Sequence, residues 1–318
     1  MCLAVVARWV VVVVGVFAII FVGLRILYSR DLNIVEHDDG ALSSSGKQDV
    51  FKKGLAENES SDYVLPVKTL HSKAGVVINA NTGKVIYAEN AFEVLPMASI
   101  TKLMSSMVAI DNKIGLEAVV TIPPDDYTIG GNLRIVAGRE TVSVKDLFYA
   151  SITGSANNAA LAIAKLAKLS EVDFVSVMNR KAVELGLESL HFQEASGLSS
   201  NNSGSAYDVA RMAGYAFLHY PLIMDAASQK EYKITTKNTK REHIIKNPNE
   251  LFARASGQFV ASKTGYLDEA LYCLVLAKNT QGGMIVAVTL GNADKQDGEN
   301  ETLDLLKKGE SAFLGAVN

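Results

Sequence analysis

The stretch Gly75-Val76-Val77-Ile78-Asn79-Ala80-Asn81-Thr82-Gly83-Lys84-Val85-Ile86-Tyr87-Ala88 opens the part of the chain that reads as folded. Two β-rich apolar runs stand either side of an Asn-Thr-Gly turn, the pattern of a β-hairpin. Three more such runs lie near the other end: Phe259 to Thr264, Ala270 to Lys278, and Met284 to Leu290 after the turn Gln281-Gly282-Gly283. The residues between are helical in pattern. Pro96 precedes Ser99, and Leu103, Met107 and Ile110 continue an apolar stripe, so a helix is expected to start close to Ser99. Val144 to about Leu169 reads as helical, Asp173 to Leu185 as a further helix ended by Gly186, and Tyr207 to Phe217 as another. A last helix is expected from about Glu301 to Phe313. Strands at both ends with helices between predict an α+β fold. One mostly antiparallel sheet is built from the two chain ends, with a helical lobe and a cleft between lobes.

Upstream, the chain changes character. Trp9 to Leu24 carries no charge and is rich in Val, Ile and Phe, and Arg25 can snorkel, so the segment is just long enough to cross a bilayer. Residues 1–30 are read as an uncleaved transmembrane anchor, with a cleaved signal peptide as the alternative. Flanking charge is nearly balanced and fixes no orientation. Residues 31–64 are polar, with Ser43-Ser44-Ser45 and Glu57-Asn58-Glu59, and read as a flexible tether. A single domain is expected over residues 65–318.

Across 318 residues the net charge is −3 and hydrophobic residues make up 48%, which allows a large core and gives no nucleic-acid footprint. The two cysteines, Cys2 and Cys273, are not expected to pair. No Cys/His cluster suggests a metal, and His-Glu-x-x-His and Gly-x-Ser-x-Gly are both absent.

Three short strings carry the chemistry: Ser99-Ile100-Thr101-Lys102, Ser155-Ala156-Asn157 and Lys263-Thr264-Gly265. Ser99 and Lys102, three apart on a helix, share a face. A serine hydroxyl is a poor nucleophile until a base takes its proton, and a lysine can be that base only when neutral. Burial, and a second cation such as Lys263, would lower its pKa. Ser155 can relay a proton between leaving group and Lys102, and Asn157 can hold substrate amides. Lys263 offers a cation to a carboxylate, Thr264 a hydroxyl, and Gly265 a close approach to the strand. Each string alone is weak: Ser44-Ser45-Gly46-Lys47 and Ser199-Ser200-Asn201 fit the same spacings. Order and context carry the reading, since Ser99 opens an apolar helix, Ser155 precedes a small-residue helix and Lys263 ends a strand.

These strings and their surroundings resemble the serine-type D-alanyl-D-alanine carboxypeptidases, the low-molecular-mass penicillin-binding proteins. The resemblance runs from about Ala74 to Phe313. It includes Met97 to Met104, Gly154 to Ala160, the Ala195-Ser196-Gly197-Leu198 loop, Ser205 to Asp208, and Lys263-Thr264-Gly265-Tyr266. It implies the penicillin-binding/β-lactamase-like fold. It implies Ser99 as nucleophile, Lys102 as base, Ser155 and Asn157 as the second element, and Lys263 on the substrate-carboxylate side. The oxyanion donors would be the backbone N–H groups of Ser99 and Tyr266. No metal or organic cofactor is implied. The expected partners are a peptidoglycan stem peptide, β-lactam inhibitors and, through the N-terminal segment, a membrane with the catalytic domain on its extracytoplasmic side.

Two departures concern the substrate. Leu267 stands where many relatives have threonine, and Asn292 to Glu301 offers only Lys295 where some carry an arginine for the terminal carboxylate. The chain also ends at Asn318, without the C-terminal β-domain of some relatives. The leading expectation is a D-Ala-D-Ala carboxypeptidase. The alternatives are a D,D-endopeptidase that cuts cross-links, a β-lactamase, and an inactive wall-binding module.

Overall fold

Strands from the two ends of the described region meet in one sheet. The structure, a computed structural model, describes residues 70–121 and 140–317. The expected anchor over residues 1–30, the tether over 31–64 and the start of the domain near Leu65 lie outside the described residues. Strands β1 (Ala74–Asn79) and β2 (Val85–Glu89) form the expected hairpin, followed by β3 (Val94–Pro96) and α1 (Lys102–Asp111). A small pair, β4 (Val119–Thr121) and β5 (Thr141–Ser143), leads into α2 (Val144–Ile152), α3 (Asn157–Leu166) and α4 (Glu171–Glu184). Then come β6 (Ser203–Ser205), α5 (Ala206–His219) and α6 (Pro221–Ser228). A second hairpin, β7 (Glu231–Thr235) with β8 (Glu242–Lys246), and the short α7 (Leu251–Arg254) precede the last strands. These are β9 (Ala261–Leu267), β10 (Leu271–Thr280) and β11 (Gly283–Asn292), closed by α8 (Lys295–Val317). No helix among the described residues is long and apolar enough to cross a membrane.

The main sheet has the order β2-β1-β11-β10-β9, antiparallel throughout. Alternate residues of each strand face opposite sides, and each side has its own core. Val77, Leu274, Leu276, Ile285 and Ala287 pack with Leu303 and Leu306 of α8. Val76, Ile78, Val275, Val286 and Val288 face the helical lobe. Helices therefore cover both faces, and β1 is buried along its whole length. Helix α1 is the axis of the lobe. Eight of its residues, Lys102 to Ala109, are buried, so it is enclosed on every side.

Two local expectations change. Pro96 ends β3 rather than starting a helix, and Ser99 lies in a 3-10 turn, Ala98–Thr101, ahead of α1. The cause is tertiary: the Met97 N–H bonds the Asn202 carbonyl and β3 pairs with β6, which holds the chain extended up to Pro96. The stretch read as helical from Val144 to Leu169 is two helices, the second opening just after Ser155 as expected. Ser155 adopts φ +56°, which ends one and lets Asn157 open the next. The Thr153 hydroxyl donates to the Ala226 carbonyl at 2.6 Å and pins the break to α6.

A buried ion pair fixes the segment that enters the lobe from α4. The Arg211 guanidinium, 1% exposed, donates to Asp208 Oδ1 at 3.1 Å and to the Gly186 carbonyl at 2.8 Å. Asp208 Oδ2 also accepts from the Ser189 N–H at 2.9 Å and its hydroxyl at 2.6 Å. Removing the carboxylate strands a buried cation. Asp208→Ala is therefore expected to lose about 3–5 kcal/mol in urea unfolding, and Arg211→Lys less.

Candidate active site

Ser99, Lys102, Ser155, Asn157, Lys263 and Thr264 come together although they derive from three separate regions of the chain. The Lys102 amine is fully buried at the start of α1. Its Nζ lies 2.7 Å from Ser99 Oγ and donates to Asn157 Oδ1 at 2.7 Å and to the Ser196 carbonyl. The Lys263 amine on β9, 1% exposed, donates to Ser155 Oγ and to the Thr264 carbonyl, both at 2.8 Å. The two lysines thus form the back of the site, each reaching one serine.

Burial decides the charge of both. Desolvation pushes the Lys102 amine down to about 7, against the opposing pull of the Glu194 carboxylate. Burial, and then the charge of Lys102, hold the Lys263 amine well below the ordinary lysine range. The geometry shows what the neutral amine of Lys102 can do. It has two N–H bonds and one lone pair. Two carbonyl oxygens, Asn157 Oδ1 and Ser196 O, take the two N–H bonds. The lone pair is left facing the Ser99 hydroxyl, ready to accept its proton.

In front of this group lies a cavity of about 470 Å³. Ser99, Ser155 and Asn157 form its floor, Leu198 one side, and Thr264, Tyr266 and Leu267 the strand wall. Lys102 and Lys263 are not among the lining residues; they sit one layer behind. A substrate in the cavity meets the Ser155 and Thr264 hydroxyls before it meets Lys263. Leu267 puts an apolar side chain on the strand wall. The Tyr266 ring packs on Tyr272 with centroids 4.5 Å apart, and its hydroxyl donates to Asp268 at 2.9 Å. Lys295 also lines the cavity, with its amine on Glu250 Oε1 at 2.5 Å. Among the described residues no group of three His, Cys, Asp or Glu side chains is placed to hold a metal.

The backbone under Ser99 is compressed. Ala98 sits at φ +46°, unfavourable for any residue with a Cβ. Gly197 closes on it from one side: a Cβ there would stand 2.2 Å from the Ala98 carbonyl oxygen and 2.8 Å from the Ser99 nitrogen. Gly265 closes from the other, where a Cβ would meet the Met97 oxygen at 2.7 Å. The space that Gly265 leaves is thus used by the chain itself. The loop 193–199 is the part that the spacing arguments left without a role. Its Ser196 carbonyl is a partner of Lys102, and Glu194 and Asn202 hold it in shape. The short string Ala195 to Leu198 marks the loop in the sequence, but nothing local ties it to Lys102.

Gly197→Ala combines a left-handed backbone, φ +86°, with a clash against the Ala98 carbonyl. It is expected to destabilise the domain by about 3 kcal/mol in thermal or denaturant unfolding.

Residues 59–294 match the family described as D-alanyl-D-alanine carboxypeptidase. A D-alanyl-D-alanine endopeptidase of Pseudomonas aeruginosa is 32% identical over 208 residues, 65% of this chain and 67% of that protein. The D-alanyl-D-alanine carboxypeptidase DacF of Bacillus subtilis is 30% identical over 240 residues, 74% of this chain and 61% of that one. The chain therefore spans about two-thirds of the length of these relatives. Among solved structures, a variant of a Streptomyces DD-transpeptidase superposes with a TM-score of 0.70 at 26% identity, covering 77% of this chain and all of that one. The fold is the penicillin-binding one expected from the sequence. With the match covering most of its length, the chain belongs to the D-alanyl-D-alanine carboxypeptidase family of serine peptidases.

Proposed function

We propose that this domain is a serine D,D-peptidase, in first instance a D-Ala-D-Ala carboxypeptidase, acting on peptidoglycan stem peptides through an acyl-serine. The observation that carries the reading is the buried Lys102 amine, brought down to about 7 and 2.7 Å from Ser99 Oγ. Ser99 gives its proton to Lys102 as Oγ attacks the carbonyl between two D-residues. The developing oxyanion is met by the N–H groups of Ser99 and Tyr266. As the tetrahedral adduct collapses, the C–N bond breaks and the leaving amine takes a proton from Lys102, relayed by Ser155. Water then attacks the ester carbonyl, giving a proton to Lys102, which returns it to Ser99 Oγ as the acyl C–O bond breaks. Lys263 supports the carboxylate side from behind, through Ser155 and Thr264.

A second reading, a D,D-endopeptidase that cuts cross-links, is favoured by two observations. Leu267 lines the strand wall, and Lys295 is already matched by Glu250. Neither feature adds an unmatched cation for a free C-terminal carboxylate. Relatives named as endopeptidases fit the same reading. The N-terminal apolar segment is proposed to hold residues 65–318 on the outer side of a membrane. A β-lactam, which presents a strained amide beside a carboxylate, is proposed to acylate Ser99 and block it.

Intact-mass analysis after benzylpenicillin treatment tests the nucleophile. The expected result is one stoichiometric adduct mapping to Ser99 and absent in Ser99→Ala; an adduct on another residue, or none, overturns the reading. Steady loss of penicillin without an adduct would instead indicate a β-lactamase. Comparing kcat/KM on a D-Ala-D-Ala pentapeptide and on a cross-linked muropeptide separates the carboxypeptidase from the endopeptidase.

The acylation rate should fall on the acid side of about pH 7, approaching tenfold per pH unit, because a protonated Lys102 has no lone pair. Lys102→Arg should be acylated at least 10²-fold more slowly at every pH, since arginine stays charged. A flat profile between pH 8 and pH 5 would rule Lys102 out as the base.

A further inference from the structure

One carboxylate organises the loop that faces Lys102. Glu194 Oε2 accepts from the Ser196 N–H at 2.6 Å and from the Ser196 hydroxyl at 2.5 Å. Glu194 Oε1 accepts from the N–H groups of Gly197 at 2.5 Å, Leu198 at 2.8 Å and Ser199 at 3.4 Å. It also takes the Asn202 side-chain amide at 2.6 Å. Four successive N–H groups thus turn inward to a single charged acceptor. Charged acceptors form the stronger hydrogen bonds, so the loop is wound around this side chain.

Winding the N–H groups inward leaves the Ser196 carbonyl on the other side, where it meets Lys102 Nζ. The same winding brings Gly197 onto the Ala98 carbonyl and the Ser99 nitrogen. Asn202 ties the arrangement to the start of α1. It is fully buried, its Nδ2 donates to Thr101 Oγ1 at 3.2 Å, and its Oδ1 accepts from the Gln193 N–H at 2.7 Å. The loop therefore touches both members of the reacting pair.

We infer that Glu194 is a positioning residue for the Ser99–Lys102 pair: by ordering residues 196–199 it aims the Ser196 carbonyl at one N–H of Lys102, which turns the amine's lone pair to Ser99. The inference rests on the proposed acyl-serine chemistry. Without this carbonyl the amine keeps only Asn157 as an N–H acceptor and can rotate its lone pair away from the hydroxyl. The carboxylate has a second effect through its charge, which favours the protonated amine and raises the pKa of Lys102 against the larger effect of burial. The other titratable group beside Lys102 is the Lys263 amine on β9, itself held well below the ordinary lysine range by burial, whereas Ser99, Asn157 and the Ser196 carbonyl are uncharged. Glu194 thus carries two separable effects, one on geometry and one on charge.

The test is the pH profile of Ser99 acylation by benzylpenicillin, followed by intact mass on the full chain, for wild type, Glu194→Gln and Glu194→Asp. Glu194→Gln keeps the shape but loses the charge and half of the acceptor capacity. Acylation at the pH optimum should slow by about 10²-fold, as for an ångström of misplacement, and the acid limb should move to lower pH. Glu194→Asp keeps the charge on a shorter arm, so acylation should slow with the acid limb unmoved. A purely structural role would lower the active fraction without moving the limb. Wild-type rate and limb in Glu194→Gln would overturn the inference, and so would a slower rate with an unmoved limb. If Glu194→Gln does not fold, the Asp variant decides: a wild-type rate, or a loss confined to the active fraction, overturns the inference, and a slower rate at full active fraction with an unmoved limb supports it. Failure of the wild-type chain itself to acylate would count against the acyl-serine reading rather than against Glu194.

Discussion

The structure turns on keeping a lysine amine out of water beside a serine hydroxyl. A buried ammonium is costly, so the site is stable only with the amine neutral or well supplied with acceptors. Lys102 meets that condition with Ser99 Oγ, Asn157 Oδ1 and the Ser196 carbonyl around one nitrogen. Its place at the start of the enclosed α1 keeps solvent from competing for those acceptors. Exposed at the surface, the same lysine would carry its ordinary charge and could take no proton.

The rest of the fold serves that enclosure. The break between α2 and α3 brings Ser155 and Asn157 to the amine from one side. Strand β9 brings Lys263 and Gly265 from another, and the loop held by Glu194 closes the third. Two of the positions concerned, Ala98 and Ser155, are left-handed without being glycine. Such conformations persist only where surrounding contacts fix them, and here they flank the reacting group. Lys263 adds a second buried amine that Ser155 shares with the cavity, which links the back of the site to the substrate side.

Much of the fold was legible from apolar runs and turns. The hairpin at residues 75–88 and the three C-terminal strands are near-continuous apolar runs, the pattern of strands buried on both faces, and the antiparallel order follows from their short connections. The second hairpin, at Glu231–Thr235 and Glu242–Lys246, alternates, with Ile234 and Ile245 buried, but its sequence signal is faint. Its hydrophobic content is low, and its turn residues, Thr236 to Arg241, lack a glycine. The first turn at Ala98–Thr101 is 3-10 rather than α, and the stretch read as helical from Val144 to Leu169 breaks after Ile152, for one reason. Local propensity favours helix at both, while tertiary partners, Asn202 for Met97 and Ala226 for Thr153, hold the backbone elsewhere.

By itself the sequence determined the sheet, the helical lobe and the candidates for the reacting pair. Ser99 and Lys102 are three apart, and short-range geometry is enough to put them on one face. What only the tertiary structure decided is the state of that lysine and the direction of its lone pair. Its acceptors come from residues 55 and 94 positions away, and the Lys263–Ser155 contact spans 108. Desolvation belongs to the assembled core and not to any residue in it. No local pattern states that Glu194 will gather four N–H groups and turn a carbonyl toward an amine on another helix.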